Sequence, residues 1–295
     1  MKKIIMSTLL VATAAVSQAQ VTMSGKISQT LSDTKVGSAS SKSVEFQSTD
    51  NINFTATENL SRGLKARVVV ETSLSGNSVT GGPETRLGDR QATVGLSSAM
   101  GSVDFGRNVH GQFLAVTNND AFMTGYGSVA GDVTNLRGLR VSNGAFVALT
   151  PMKGVAVTLD RTNSEMNQEA TAYSVSGSAM GVNLVAARFT QGNETTNTFG
   201  ANYKTKTGAK LFALHSIDKG RVPVTGTLIG ASQSFGAITA KASYGETDTD
   251  VKAYNIGLDY ALSKRTEVGV AYRDVKLAGN NKDIRQVGVG ITHRF

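Results

Sequence analysis

Side chains that attack, shuttle protons or hold metals are scarce in this sequence. It contains no Cys, which removes thiol nucleophiles, disulfides and thiolate ligands. His110, His215 and His293 stand far apart and leave little for a metal site or a catalytic triad, so no metal or cofactor is expected. What remains is charge: 30 Lys and Arg against 22 Asp and Glu, a formal net of +8. The basic residues are spread singly, without the runs or patches that nucleic acid requires, so nucleic acid is not an expected partner. Isolated charges among apolar neighbours suit another task, lining a wet surface whose field sorts ions. Lys26 takes the opposite alternation parity from Met23 and Ile27. Arg67 does so from Ala66, Val68 and Val70, and Arg140 from Val141, Ala145, Val147 and Leu149.

These residues must be carried by strands. Past the first nineteen residues no window holds 18 consecutive apolar residues. Instead, period-two alternation recurs in pieces of about ten residues, each ended by Gly, Asn, Asp, Ser or Lys. In 251–262 the even positions hold Tyr254, Ile256, Leu258, Tyr260 and Leu262, while Asn255, Gly257, Asp259 and Ala261 lie between them. One face is apolar with aromatic ends; the other is small, polar or charged. A water-soluble sandwich would use the first face as a core. A membrane barrel would turn it to lipid and line a lumen with the second. The repeated Gly, Ser, Thr and charged residues on the second face, and the strand-like ending on Phe295, favour the barrel. Sixteen alternating segments can be counted from 21–31 to 284–295, an even number as a closed antiparallel barrel demands. The expectation is an all-β, 16-stranded antiparallel transmembrane barrel.

Residues 1–19 read as a cleaved export signal. Lys2 and Lys3 precede an apolar stretch from Ile4 to Val16, and Ser17-Gln18-Ala19 offers a small-x-small cleavage pattern. Residues 20–295 then form the barrel. Connections alternate between tight turns and longer loops such as 76–89 and 278–283. The exception is 109–139, which lacks alternation; a segment that long in a compact fold is usually functional, and a sixteen-strand lumen is wide enough to hold it. It carries Asp120 and Asp132 against Arg137. Asp120, within Asn118-Asn-Asp-Ala-Phe122, is open to two readings: a source of field in the pore, or a turn-forming residue.

The residues resemble those of the Gram-negative general diffusion porins, most of all the β-proteobacterial ones. The resemblance rests on Gly101-Ser-Val-Asp-Phe-Gly-Arg-Asn108, Ser24-Gly-Lys26, Thr57-Glu-Asn-Leu60 followed by Gly63-Leu-Lys-Ala66, and the ending Thr292-His-Arg-Phe295. It implies a homotrimer whose third loop, 109–139, folds into each pore, with acidic loop residues facing a basic wall. Lys26 and Arg107 match basic positions of the family; Asn51 stands where another Arg is usual. The loop lacks the Pro-Glu-Phe-Gly-Gly type segment of the enterobacterial members. Phe295 falls in the assembly signal read by the outer-membrane insertion machinery. Lipid and lipopolysaccharide are the other partners implied.

The function expected is a water-filled outer-membrane channel for ions and small hydrophilic solutes, without catalysis. Inward-parity basic residues outnumber acidic ones, which implies a weak preference for anions. A substrate-specific channel and a structural or adhesive barrel are the alternatives.

Overall fold

The computed structural model describes residues 20–295 apart from 48, 75–85, 135, 137–138, 166–167 and 280–282. The expected signal, 1–19, lies outside the described residues. The strands are β1 Gln20–Val36, β2 Ala39–Phe46, β3 Asn51–Ser61, β4 Leu64–Ser73, β5 Gln91–Ser98, β6 Gly101–Val109, β7 Arg140–Met152, β8 Val155–Glu165 and β9 Gln168–Ala179. They continue as β10 Val182–Gln191, β11 Glu194–Lys204, β12 Lys210–Asp218, β13 Val224–Phe235, β14 Ile238–Thr247, β15 Lys252–Ala261, β16 Thr266–Lys276 and β17 Ile284–Arg294. Two helices, α1 Gly111–Asn118 and α2 Ala130–Val133, fall in the long segment between β6 and β7.

Apart from β2 and β3, which both pair with β1, each strand pairs antiparallel with the next in sequence, and β1 closes the sheet on β17 from Lys26↔Arg294 to Val36↔Ile284. The wall has 16 strands because β2 and β3 together form the second one, both paired with β1. That strand was expected as one alternating run, 43–57. It is interrupted at 47–50, where the Asp50 carboxylate takes the place of a ladder acceptor: Ser28 N–H donates to it at 2.8 Å and Gln47 N–H at 3.1 Å. Closure leaves no sheet edge to be satisfied by water, the condition for a strand structure to cross lipid.

Burial is inverted relative to a soluble protein. Along β5 and β6 the outward side chains are apolar and exposed, Val94 at 58% and Phe105 at 55%, while the inward Asp104 is 4% exposed. Ser28, Thr198, Ser216 and Asn255 are likewise polar and buried inside. An apolar belt outside and polar groups within is the pattern of a barrel whose solvent is lipid.

The long segment folds into this interior. Helix α1 packs on β8–β11 and α2 on β13–β15. Beneath α2 the lumen parity is broken by apolar wall residues: Leu214, Leu228, Ala253 and Val275 join Val116, Val129, Ala130 and Val133 in one buried cluster. Burying a side chain of this size contributes about 1.5–3 kcal/mol, so the loop is held by a small core of its own. The contact is close enough to forbid side chains on the wall. A methyl at Gly226 would sit 1.5 Å from the Val133 carbonyl oxygen, and one at Gly288 would sit 1.8 Å from the Tyr126 hydroxyl.

Candidate pore constriction

The loop hugs one side of the lumen, against β8–β17. That side carries Lys241, Asp259 and Arg273, and the opposite wall, β1–β7, carries a second set of charges. Lys26 pairs with Asp50 at 3.7 Å, and Arg67 donates to Asp104 at 2.6 Å. Arg107 donates to the Asp89 carbonyl and to Ser142 Oγ, both at 2.6 Å. Arg140 holds its guanidinium 6.0 Å from the centre of the Phe113 ring on α1 and lies in the field of Arg90, Glu71, Arg107 and Asp89. Lys26, Arg67, Arg107 and Arg140 therefore share one side of the lumen.

Arg140 reaches its place by a route that alternation did not foresee. Val141 was expected on the lipid face. It is buried at 1% in a cluster with Phe146, Ala170, Ala172 and Phe189. The register of β7 on β6 slips between Gly106 and Asn108, and Asn143 has φ +53°, so a bulge turns Val141 inward, while Arg140 reaches Phe113 from the first position of the strand.

Arg90 was missed. It ion-pairs with Glu71 beside the same cluster, while Asn51 Nδ2 donates to that carboxylate at 2.8 Å. The alternating run expected at 90–97 gave Arg90 the parity of Val94 and Leu96; the strand instead begins at Gln91, and Arg90 lies in the bend before it.

The loop's two carboxylates turn from the basic wall. Asp120 is fully buried and accepts from Phe122 N–H at 3.1 Å, Thr124 N–H at 2.7 Å and Ser128 Oγ at 2.6 Å. These are the bonds of a turn-forming carboxylate. Asp132 takes the Arg273 guanidinium on both oxygens, at 2.9 and 3.1 Å. Burial raises its carboxyl above the ordinary value, and Arg273 opposes the rise. Arg137 lies outside the described residues. His110, which opens the loop, caps α1 by accepting from Phe113 N–H and stacks on Phe189 with centroids 4.2 Å apart. Among the described residues no cluster of three or more His, Cys, Asp or Glu could hold a metal ion.

At the closing seam Phe295 exchanges two backbone hydrogen bonds with Gly25, at 3.0 and 3.1 Å. Its ring covers Gly25, where a methyl would meet it at 2.6 Å.

A closed barrel with an apolar outside, a polar inside and a loop narrowing the lumen defines a membrane diffusion channel. The sequence profile of the Gram-negative porin family matches residues 7–295, and the chain belongs to that family. It forms an outer-membrane channel for passive diffusion. No curated protein sequence matches it. Among solved structures it is similar to an anion-selective porin from Comamonas acidovorans, at 22% identity and TM-score 0.80, with 94% of this chain and 100% of that one covered. OmpF of Salmonella typhi follows at 18% identity and TM-score 0.78, over 94% and 98%. A Rhodopseudomonas blastica porin variant gives 16% and 0.72, over 94% and 100%. The fold and family are those of a channel, and porins of this family form oligomers.

Proposed function

We propose that this channel prefers anions weakly and that the loop 109–139 sets its narrowest point. The observation that carries the reading is the placement of charge. Arg107 and Arg140 stand on the wall facing the loop, while Asp120 and Asp132 are engaged with the loop's own donors and with Arg273. Cations approaching the constriction thus meet no loop carboxylate turned toward the basic wall. The likeness to an anion-selective porin supports the same reading. Physiological salt screens the wall over about 8 Å, so the preference is modest and grows as salt is lowered.

The working form is a homotrimer without catalytic activity, matured by loss of residues 1–19 and delivered by the outer-membrane assembly machinery, which reads Phe295. Outer-leaflet lipopolysaccharide is its neighbour at the loop-side rim. There the outward-facing Lys252 and Lys276 stand opposite each other. Like charges so placed repel, and anionic headgroups relieve them.

The test is the reversal potential of the purified protein in a planar bilayer under a potassium chloride gradient. The expected sign is that of chloride, with Arg140→Gln lowering the chloride-to-potassium ratio about twofold. A potassium-selective channel would contradict the reading.

A further inference from the structure

The face that the loop turns to the pore is apolar where a porin constriction would be expected to be acidic. Gly111, Gln112, Ala115 and Val116 of α1 are buried against the wall, which leaves Phe113, Leu114 and Thr117 on the free side. Thr117 and Thr124 hydroxyls meet at 3.4 Å, bringing the next turn of the loop to the same face. Leu114 is 40% exposed and Met123 is 63% exposed although both lie on the loop inside the barrel, away from lipid. Large apolar side chains left in water inside a lumen otherwise lined with Ser, Thr, Asn and charges call for a ligand of matching character. Leu114 also lines a cavity of about 860 Å³ between α1 and the turn-side ends of β7–β10, together with Asn118, Asn202 and Lys153.

Across from this face stands Arg140. Among the described residues it has no carboxylate at ion-pair distance, and its Nε is buried without a hydrogen-bond partner. Its guanidinium lies above the Phe113 ring. One side of the slot therefore offers positive charge and hydrogen-bond donors, and the other offers an aromatic ring and aliphatic surface.

From this juxtaposition we infer that the constriction favours organic anions with an apolar body, such as aromatic or branched-chain monocarboxylates, over hydrophilic anions of similar size. The carboxylate lies on Arg140, where a planar guanidinium accepts it in a forked geometry. The body slides over Phe113 and Leu114 into the cavity beyond. The field of the wall draws any anion to this point; the loop then discriminates among anions by the water each releases from it. This inference rests on the anion preference proposed above and adds to it a criterion of its own.

The experiment compares potassium salts of chloride, benzoate and gluconate by reversal potential across planar bilayers, each corrected for its aqueous mobility. Benzoate is expected to exceed gluconate by about threefold in relative permeability, the factor that a modest apolar or cation–π contact supplies. Phe113→Ala is expected to remove that excess. A wild-type channel that prefers chloride to potassium but treats benzoate and gluconate alike would overturn the inference and leave the anion reading standing. Loss of the chloride preference would overturn the reading beneath it. A benzoate excess that persists in Phe113→Ala would also sink the inference. If that variant fails to insert, the wild-type comparison decides alone.

Discussion

Charge on the pore wall acts as pairs more than as single residues. Arg67 with Asp104, Lys241 with Asp259 and Arg294 with Glu267 are ion pairs at 2.6, 2.6 and 2.7 Å, and each contributes little to the field at a distance. Replacing both members of one pair, Arg67→Gln with Asp104→Asn, is therefore expected to leave the chloride-to-potassium ratio unchanged. Arg140→Gln removes a charge that, among the described residues, has no carboxylate at ion-pair distance, and lowers it. A double variant that shifts selectivity as far as Arg140→Gln would show that pairing is no guide to the field. At this scale the sequence was legible wherever alternation is regular, as around Lys26 and Arg67. It was not legible for Arg90, in a bend, nor for the environment of Arg140, behind a bulge. The two possible roles of Asp120 differ only in where its oxygens point, which no spacing reveals; in the fold they hold Phe122, Thr124 and Ser128.

The decisive element for the proposed selectivity is the loop, because it folds into the lumen of the barrel. Its wall contacts are tight enough to be probed with single methyl groups. Gly226→Ala places a carbon against the Val133 carbonyl and must push α2 off the wall. We expect a destabilisation of about 1–3 kcal/mol, read as a lower melting temperature, together with an altered single-channel conductance. His110→Ala removes the N-cap of α1 and its stack on Phe189, and should cost about 0.5–2 kcal/mol. Unchanged conductance and stability in both variants would mean that the loop is not held as described. Fifteen of the wall strands were legible as runs because lipid and lumen impose alternation along most of each, the bulged start of β7 being an exception. The second strand was not, since Asp50 repairs its break with a side chain. The helices inside 109–139 were also not foreseen, yet their footprint was in the sequence: Leu214, Leu228 and Val275 break lumen parity because α2 covers them.

At the scale of the whole molecule, the barrel must close on itself and insert. Phe295 takes part in closure by pairing with Gly25 and covering it, and its proposed role in assembly adds the second step. Deleting Phe295 is expected to reduce the amount of folded barrel in the outer membrane while leaving the conductance of those channels that do insert unchanged. Normal insertion levels would remove Phe295 from the closing seam. The central claim is that this barrel encloses an open aqueous path beside its loop. Single-channel recording of the purified protein in a planar bilayer tests it most directly. Discrete, ohmic openings are expected, closing in three equal steps if the proposed trimer forms. Protein that inserts yet passes no stepwise current would contradict it.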